Sequence, residues 1–376
     1  MTLIDYLNRV HFAENILEEA LWAELEQRQD DKFLILITSE DLQGELGERL
    51  KSGIPGQTRT VTFEASGLVP TEAEAHRAAV AFRDTNCDAI LACGPGYVIT
   101  LAKAMRLLVG HDAPLSRFSE AEGGALHITH ALPELIAVPR LKGFVAGFNG
   151  LVSITLDDGK LIDIASRSIV PTVTIGDPTI AAGEPAAVLA NASVEAVTLC
   201  TEALLSPNYN PPANGIAMDG LKRGLQAVGA VSDRADLGAR RELMAACINA
   251  AMVQHKGLGL AHAITSSLCA VVAAPLDKGA IKRLLLPEIL RYYNENKVLS
   301  RAPLMGTMGL TNPADVVKTI ARAMRGLPLP ASLSELGISE AQISQCCERA
   351  SRHRAISNTP CHPGPGDIRN LLASIY

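Results

Sequence analysis

Residues His255–Asn296 read HKGLGLAHAITSSLCAVVAAPLDKGAIKRLLLPEILRYYNEN, and this stretch decides the fold of the second half of the chain. It opens with a glycine-spaced apolar segment that ends in His262. It closes with an amphipathic pattern that a proline interrupts. Apolar residues at this spacing are typical of packed helices. The stretch and its flanks therefore predict helices over about 235–271 and 279–295, and the first of them carries the histidine.

The first half of the chain alternates short apolar runs with amphipathic helical patterns. The runs predict strands at Lys32–Thr38, Arg59–Ala65, Ala89–Cys93, Glu134–Val138 and Val173–Ile175. Helical patterns cover about 11–30, 42–52, 71–84 and 98–109. A hairpin is predicted around Asp157-Asp158-Gly159. This alternation is typical of an α/β domain with a mostly parallel sheet.

Strands all but vanish after Ile180, and helical patterns take their place. Besides the two helices above, patterns cover about 183–206, 213–230, 312–325, 339–351 and 366–375. The change near residue 178 predicts an α/β domain over 1–178 and an all-helical domain over 179–376. A chain of 376 residues is long enough for two such domains.

Composition limits the classes of function. The chain has 34 Lys and Arg against 40 Asp and Glu, a net charge of −6, which argues against a nucleic-acid or anionic membrane surface. We find no leader pattern and no uninterrupted apolar run long enough to span a bilayer. The eight cysteines form no C-x-x-C pair, so we expect reduced thiols in the cytoplasm.

The order of several segments resembles the iron-containing (group III) alcohol dehydrogenase family, in the dehydroquinate synthase-like superfamily. The family's central segment reads roughly G-L-G-x-x-H-A-x-x-H, then P-H-G, then L-L-P. Other characteristic segments of the family are similar to four segments of this chain: KFLILITSEDL, Val69-Pro70-Thr71, Asp177-Pro178 and Leu336-Gly337-Ile338. The resemblance spans the whole chain and implies a Rossmann-like N-terminal domain that binds a dinucleotide and a helical catalytic domain.

A glycine turn follows the third predicted strand. Glycines let a backbone approach a pyrophosphate, and the next helix offers free N–H groups and a positive dipole end. The family pattern is G-G-G-S-x-x-D-x-x-K, against which this chain has Gly94, Pro95, Gly96, Tyr97 and Lys103. The resemblance favours a dinucleotide site over a plain strand-to-helix turn.

The residue after the first predicted strand bears on the choice between NAD and NADP. A carboxylate there holds the ribose 2′-hydroxyl and repels a 2′-phosphate. The aligned residue is Ser39, followed by Glu40 and Asp41. Serine tolerates either cofactor, and an alternative role for Ser39 is to cap the next helix.

The loop after Pro139 departs most from the family, whose members carry small hydroxylic residues there. This chain has Arg140 and Lys142 instead. These cations predict an anion site for a cofactor phosphate or an acidic substrate. The alternative is that both side chains point into solvent.

The family's catalytic metal needs one carboxylate and three imidazoles on facing helices. The aligned positions hold Glu195, Leu199, His262 and Lys278, so only Glu195 and His262 could still bind a metal. His255 is a conceivable substitute, although a partly buried histidine is the simpler interpretation. Two ligands rarely hold iron or zinc, and we therefore expect no bound catalytic metal.

Two functions remain open. The first is a nicotinamide-dependent oxidoreductase that interconverts a small, possibly acidic, carbonyl compound and its alcohol without metal, an option that maleylacetate reductases resemble. His262 and Lys278 would be its catalytic residues, and Lys278 in the cleft would supply positive charge and a proton. Lys278 in an exposed loop is the alternative. The second function is a non-catalytic nucleotide-binding member of the family. Because relatives are often dimers, we also expect a homodimer.

Overall fold

The structure, a computed structural model, describes residues 8–28, 30–230, 236–272 and 275–376. It divides into two compact units, the first ending at Ala182 and the second spanning Gly183–Tyr376. The first unit is α/β, and the second is helical. This confirms the predicted fold class.

Six strands of the first unit form one parallel sheet. They are β1 (Arg9–Phe12), β2 (Lys32–Thr38), β3 (Arg59–Ala65), β4 (Ala89–Gly94), β5 (Glu134–Pro139) and β8 (Val173–Gly176), in the spatial order β1-β8-β5-β4-β2-β3. Strands β6 (Leu151–Thr155) and β7 (Leu161–Ala165) form the predicted hairpin. Helices of this unit are α1 (Leu17–Glu26), α2 (Ser39–Gln43), α3 (Glu45–Gly53), α4 (Glu72–Asp84) and α5 (Gly96–Gly110).

Strand β2 separates the two apolar cores of this unit. Leu34 and Leu36 join the cluster under α4 and α5, whereas Phe33, Ile35 and Ile37 join the cluster under α1 and α3. Alternate residues of a strand point to opposite faces of the sheet. The continuous apolar run KFLILIT is therefore explained by helices on both faces.

Strand β1 corrects the predicted helix over 11–30. Residues Arg9–Phe12 pair in parallel with β8, and the helix begins only at Leu17. Pairing with a distant strand supplies the backbone hydrogen bonds, and the local helical pattern does not reveal it. Residue 29 of the predicted helix lies outside the described residues.

The second unit contains nine helices in its described residues: α6 (Ala186–Leu205), α7 (Pro211–Ala230), α8 (Leu237–Val253), α9 (Leu260–Val272), α10 (Lys278–Glu295), α11 (Pro303–Met308), α12 (Pro313–Arg325), α13 (Glu340–Ser351) and α14 (Pro365–Ala373). Helix α6 packs against α7, α8 and α10. Its length and mean hydropathy of 1.4 would suit a membrane span, but 83% of that window is buried inside the protein. Helix α6 is therefore the central core helix of this unit.

The prediction of a single helix over 235–271 is wrong, because α8 ends at Val253 and a separate helix, α9, begins at Leu260. Gly257 has a φ of +111°, and a Cβ there would lie 2.5 Å from Asn358 Nδ2. A positive φ with an extended ψ of 147° is incompatible with a right-handed helix and is a conformation that glycine adopts readily. Residue 235 of the predicted helix lies outside the described residues.

Candidate functional site

The strand order of the sheet reverses between β2 and β4. The chain runs from β2 outward to β3 and then returns to the other side of β2 for β4. Ligands of parallel α/β sheets bind beyond the carboxyl ends of the strands at such a reversal. Thr38 and Gly94 end these two strands, so the sequence-predicted cofactor residues around them lie at the expected edge.

The glycine turn after β4 is packed against the loop after β5. Gly94 has a φ of +129°, and Pro95 precedes the first residue of α5. The Gly96 N–H donates to the Lys142 carbonyl at 2.7 Å, and a Cβ on Gly96 would lie 2.5 Å from the Gly143 oxygen. Gly96 is thus required by the approach of Gly143, before any ligand is considered.

Arg140 and Asp41 form an ion pair at this edge. Arg140 Nη1 lies 2.7 Å from Asp41 Oδ1, and the Thr38 hydroxyl donates to Asp41 Oδ2 at 2.9 Å. Only 4% of the Asp41 surface is exposed. The predicted anion site at Arg140 needs correction, because a buried carboxylate, that of Asp41, already pairs with the guanidinium. The Lys142 residue is exposed, as the alternative interpretation expected.

Ser39 is the first residue of α2 and is exposed. The cap of that helix is Thr38, whose side chain accepts a hydrogen bond from the Asp41 N–H. The capping role considered for Ser39 therefore belongs to its neighbour. The Ser39 hydroxyl accepts a hydrogen bond from Gln43 Nε2 at 3.4 Å, and its O–H can still donate at the carboxyl end of β2.

Tyr97 is half-buried in the first turn of α5. Burial raises its pKa to about 12, and the carboxylates of Glu74, Asp41 and Glu40 act in the same direction. The phenol therefore stays protonated and can donate a hydrogen bond at neutral pH. Three acidic side chains near one phenol also give this edge of the sheet a negative potential.

Lys103 does not face a ligand. Its side chain is fully buried, and its ammonium donates to the Asn149 carbonyl at 2.7 Å and to Asn149 Oδ1 at 2.9 Å. Burial lowers the pKa of Lys103 well below its usual range. The expected cofactor contact is corrected to a structural role, in which Lys103 holds the loop before β6.

One face of α6 carries Glu195, Leu199 and Glu202, at spacings of four and three residues. Glu195 Oε2 lies 2.5 Å from Lys282 Nζ on α10. The lysine side chain is 6% exposed and the glutamate side chain is 22% exposed. Leu199 is buried hydrocarbon. This ion pair involves a lysine that the sequence analysis did not single out.

Glu202 holds the start of α9. Its Oε1 accepts hydrogen bonds from the Ala261 N–H at 2.7 Å and the His262 N–H at 3.3 Å. A carboxylate at a helix N-terminus meets free N–H groups and a positive dipole end. Burial raises the pKa of Glu202, although Lys282 opposes that shift. The contact fixes the backbone of His262.

His262 lies against His353, which follows α13. Their ring centroids are 5.4 Å apart, and ring nitrogens of the two residues lie within 4.8 Å of each other. His353 Nδ1 accepts the Ala355 N–H. Sequence reasoning missed His353, since no local pattern marks it and 91 residues separate it from His262.

Lys278 is the first residue of α10 and is exposed. The expectation that it lies in a closed cleft is therefore wrong, and the alternative of an exposed lysine describes its position. The cause is Asp277, which caps the helix so that Lys278 begins the first turn at the surface. His255 is also exposed, not partly buried.

A parallel sheet with a glycine turn at its strand reversal defines the first unit as a nucleotide-binding α/β fold. The model of the family described as iron-containing alcohol dehydrogenase matches residues 8–178, and the model of its C-terminal part matches residues 189–376. The chain belongs to the iron-containing alcohol dehydrogenase family.

Individual relatives agree with this assignment. The 4-hydroxybutyrate dehydrogenase of Cupriavidus necator is 29% identical over 99% of both chains. The 1,3-propanediol dehydrogenase of Klebsiella pneumoniae is 28% identical over 78% of this chain and 76% of its own. A solved 1,3-propanediol oxidoreductase has a TM-score of 0.84 at 23% identity, over 100% of both chains. Sulfoacetaldehyde reductase from Bifidobacterium kashiwanohense, solved with NAD+, has a TM-score of 0.85 at 18% identity, over 100% of this chain and 98% of its own.

This protein is a nicotinamide-dependent oxidoreductase that interconverts an alcohol and a carbonyl compound. The non-catalytic alternative has no support from these relatives. The residues at the family's metal positions, however, do not form a ligand set. An ammonium already contacts Glu195, Leu199 offers no donor atom, and Lys278 is exposed. His262 and His353 bring two imidazoles close together, but His353 is not one of those family positions.

Proposed function

We propose that this enzyme oxidises a small hydroxy acid, such as 4-hydroxybutyrate, to the corresponding aldehyde with NAD and without a catalytic metal. The observation that carries the substrate class is the similarity to 4-hydroxybutyrate dehydrogenase, which extends over 99% of both chains. The 1,3-propanediol dehydrogenase of Klebsiella pneumoniae is matched over a smaller share of both chains, 78% of this chain and 76% of its own.

The cofactor lies, in this proposal, at the carboxyl edge of β2 and β4. Gly94, Pro95, Gly96 and Tyr97 would border its pyrophosphate at the start of α5, and Ser39 would face its adenosine ribose. When bound, NAD accepts a hydride from the carbon that bears the hydroxyl group. Arg140 offsets the charge of Asp41 beside the anionic cofactor, while Lys142 contributes its carbonyl to the glycine turn.

The choice of NAD over NADP rests on charge. Glu40, Asp41 and Glu74 all act on Tyr97 at this edge, whereas the ion pair supplies one cation, Arg140. A 2′-phosphate would bring about two more negative charges into that potential. The hydroxyl of the NAD ribose adds none, and Ser39 can hydrogen-bond it.

The absence of a catalytic metal is proposed from the occupied Glu195 carboxylate. His262 keeps its family position, and its backbone is fixed by Glu202. We assign it the task of orienting the substrate hydroxyl. His353 packs against its ring and would limit its rotation.

Initial rates with 4-hydroxybutyrate and NAD, measured after dialysis against a chelator, test this function. We expect turnover that added Zn²⁺ or Fe²⁺ does not raise, and little activity with NADP. The neutral alcohol 1,3-propanediol serves as the comparison substrate. Turnover of the neutral alcohol alone would overturn the substrate class, and activity that appears only with added metal would overturn metal independence.

We also propose a cytoplasmic homodimer. Strand β1 is the first strand of the sheet order, so one of its edges has no partner strand within the described chain, and Val10 on it is 38% exposed. An open strand edge is a ready surface for pairing with a second copy. Sedimentation analysis would give twice the chain mass of 39.8 kDa if this is correct.

A further inference from the structure

We propose that the Lys282 ammonium takes the place of the family's catalytic cation and stabilises the oxygen of the reacting carbonyl. The inference rests on the proposed metal-independent function and names the residue that makes it possible. It assigns to Lys282 a role that the sequence analysis gave to Lys278. The two lysines are one helical turn apart on the same face of α10.

The ion pair places a fixed positive charge at the family's carboxylate position. Lys282 Nζ lies 2.5 Å from Glu195 Oε2, and the lysine side chain is 6% exposed. Burying an ammonium without a partner is costly, and Glu195 is the partner of Lys282 in this position. A divalent ion bound to Glu195 would have to displace this ammonium.

The ammonium has hydrogen-bonding capacity left over. It carries three N–H donors, and Glu195 is its one hydrogen-bond partner among the residues that the structure describes. Two donors therefore remain for another acceptor. In a site of low dielectric constant, donors that are already in place stabilise a developing oxyanion more strongly than water does.

Glu202, the other acidic residue of the α6 face, interacts electrostatically with Lys282. Burial raises its pKa, and its Oε1 accepts the Ala261 N–H at 2.7 Å. Glu195 is therefore the carboxylate in direct contact with the Lys282 ammonium.

The chemistry follows from the established reaction. In the reducing direction the carbonyl carbon gains a hydride from NADH, and the π electron pair of the C=O bond moves to its oxygen. That oxygen takes one proton, which comes from solvent, to give the alcohol and NAD+. The Lys282 ammonium stabilises the negative charge that develops on this oxygen. In a metal enzyme the metal ion, as a Lewis acid, has that role.

Substitution of Lys282 tests the proposal. For Lys282→Met we expect kcat to fall roughly 10²- to 10³-fold, the usual effect of losing one oxyanion donor. This variant also leaves Glu195 unpaired and loses stability. The double variant Lys282→Met/Glu195→Gln removes both charges, so we expect recovered thermal stability without recovered turnover. Lys318→Met, which removes an exposed lysine side chain on α12, is the matched control and keeps full activity.

A comparison of two substrates separates two roles for the same charge. If Lys282 acts on the reacting oxygen, kcat falls equally with 4-hydroxybutyrate and with 1,3-propanediol. If it instead binds the substrate carboxylate, only the KM for 4-hydroxybutyrate rises, and the proposal is wrong. Full turnover by the double variant would also overturn it.

If neither alcohol is a substrate, the proposed substrate class alone fails. A metal titration then still tests whether Lys282 replaces the catalytic cation. Calorimetry with Zn²⁺ on the chelator-treated protein should show no tight equimolar site. A site that Glu195→Gln abolishes would show that Glu195 binds a metal and that Lys282 does not replace it. Any site that persists in Glu195→Gln but disappears in His353→Ala belongs to the histidine pair and leaves the Lys282–Glu195 pair intact, in agreement with the proposal.

Discussion

Arg140 and Asp41 are joined by an ion pair of 2.7 Å that connects the loop after β5 to helix α2. The loop is held a second time where the Lys142 carbonyl accepts the Gly96 N–H. The carboxyl ends of β2, β4 and β5 are therefore tied together before a cofactor binds. Such preorganisation lowers the entropy lost on binding.

The first prediction concerns this ion pair. Arg140→Gln leaves the buried Asp41 carboxylate without its guanidinium and should lower the free energy of unfolding by about 3 kcal/mol. The double variant Arg140→Gln/Asp41→Asn should regain most of that loss, because no uncompensated charge remains. Urea denaturation measures both values, and equal stability of Arg140→Gln and the wild-type protein would contradict the prediction.

The second prediction concerns cofactor choice. We expect Ser39→Arg to shift the preference toward NADPH by at least tenfold, since arginine can pair with a 2′-phosphate. Gln57→Arg, in the exposed turn before β3, adds the same charge as a control away from this edge and should change the preference less. Fluorescence titration with NADH and NADPH gives the two dissociation constants. An equal effect of both variants would mean that Ser39 does not face the ribose.

The third prediction concerns the contact between α6 and α10. A Cβ on Gly279 would lie 1.8 Å from Asn191 Oδ1 and 3.1 Å from the Asn191 Cα. Gly279→Ala should therefore destabilise the protein by roughly 1–3 kcal/mol, as overpacking usually does. Gly215→Ala in α7 meets open space and should stabilise by about 1 kcal/mol. Opposite signs in urea denaturation are the expected result, and equal effects would contradict it.

The fourth prediction concerns pH. The pKa of Glu202 is raised by burial, so the folded state keeps a proton that the unfolded state has already lost. The contribution of Glu202 to stability is therefore complete below its ordinary pKa and is lost as the pH rises through its folded pKa. Glu202→Gln should remove this loss, and its stability relative to wild type should improve from pH 5 to pH 8. Urea denaturation of both proteins at each pH measures the trend, and a constant difference from pH 5 to pH 8 would contradict it.

The central strands of the sheet could be predicted from the sequence because they are buried on both faces. Lys32–Thr38 was predicted with the observed bounds, since a continuous apolar run between turns leaves little choice. Arg59–Ala65 was also predicted with the observed bounds, because its apolar residues alternate with polar ones, as in a strand with one exposed face. Strand β1 could not be predicted. Its four residues are stabilised by pairing with β8, which lies more than 160 residues later in the chain.

The candidate site was predictable in outline only. The glycine turn at the reversal of strand order could be predicted, because the strand before it and the helix after it were both recognisable in the sequence. The partners of its charges were not predictable, since Asp41 and Arg140 are 99 residues apart, and Glu195 and Lys282 are 87 apart. Spacing along a chain indicates which residues share a helix face, but it does not indicate which residue of another helix reaches that face.

The Lys282–Glu195 pair restricts how a site of this kind can change over time. Replacing the lysine alone leaves the carboxylate without a counter-charge, and replacing the glutamate alone leaves the ammonium without one. A lineage that exchanges a bound metal ion for the lysine ammonium therefore has to pass through a less stable protein or change both positions together. Intermediate forms should be rare among living relatives, and chains with a lysine at this place should keep an acid opposite it.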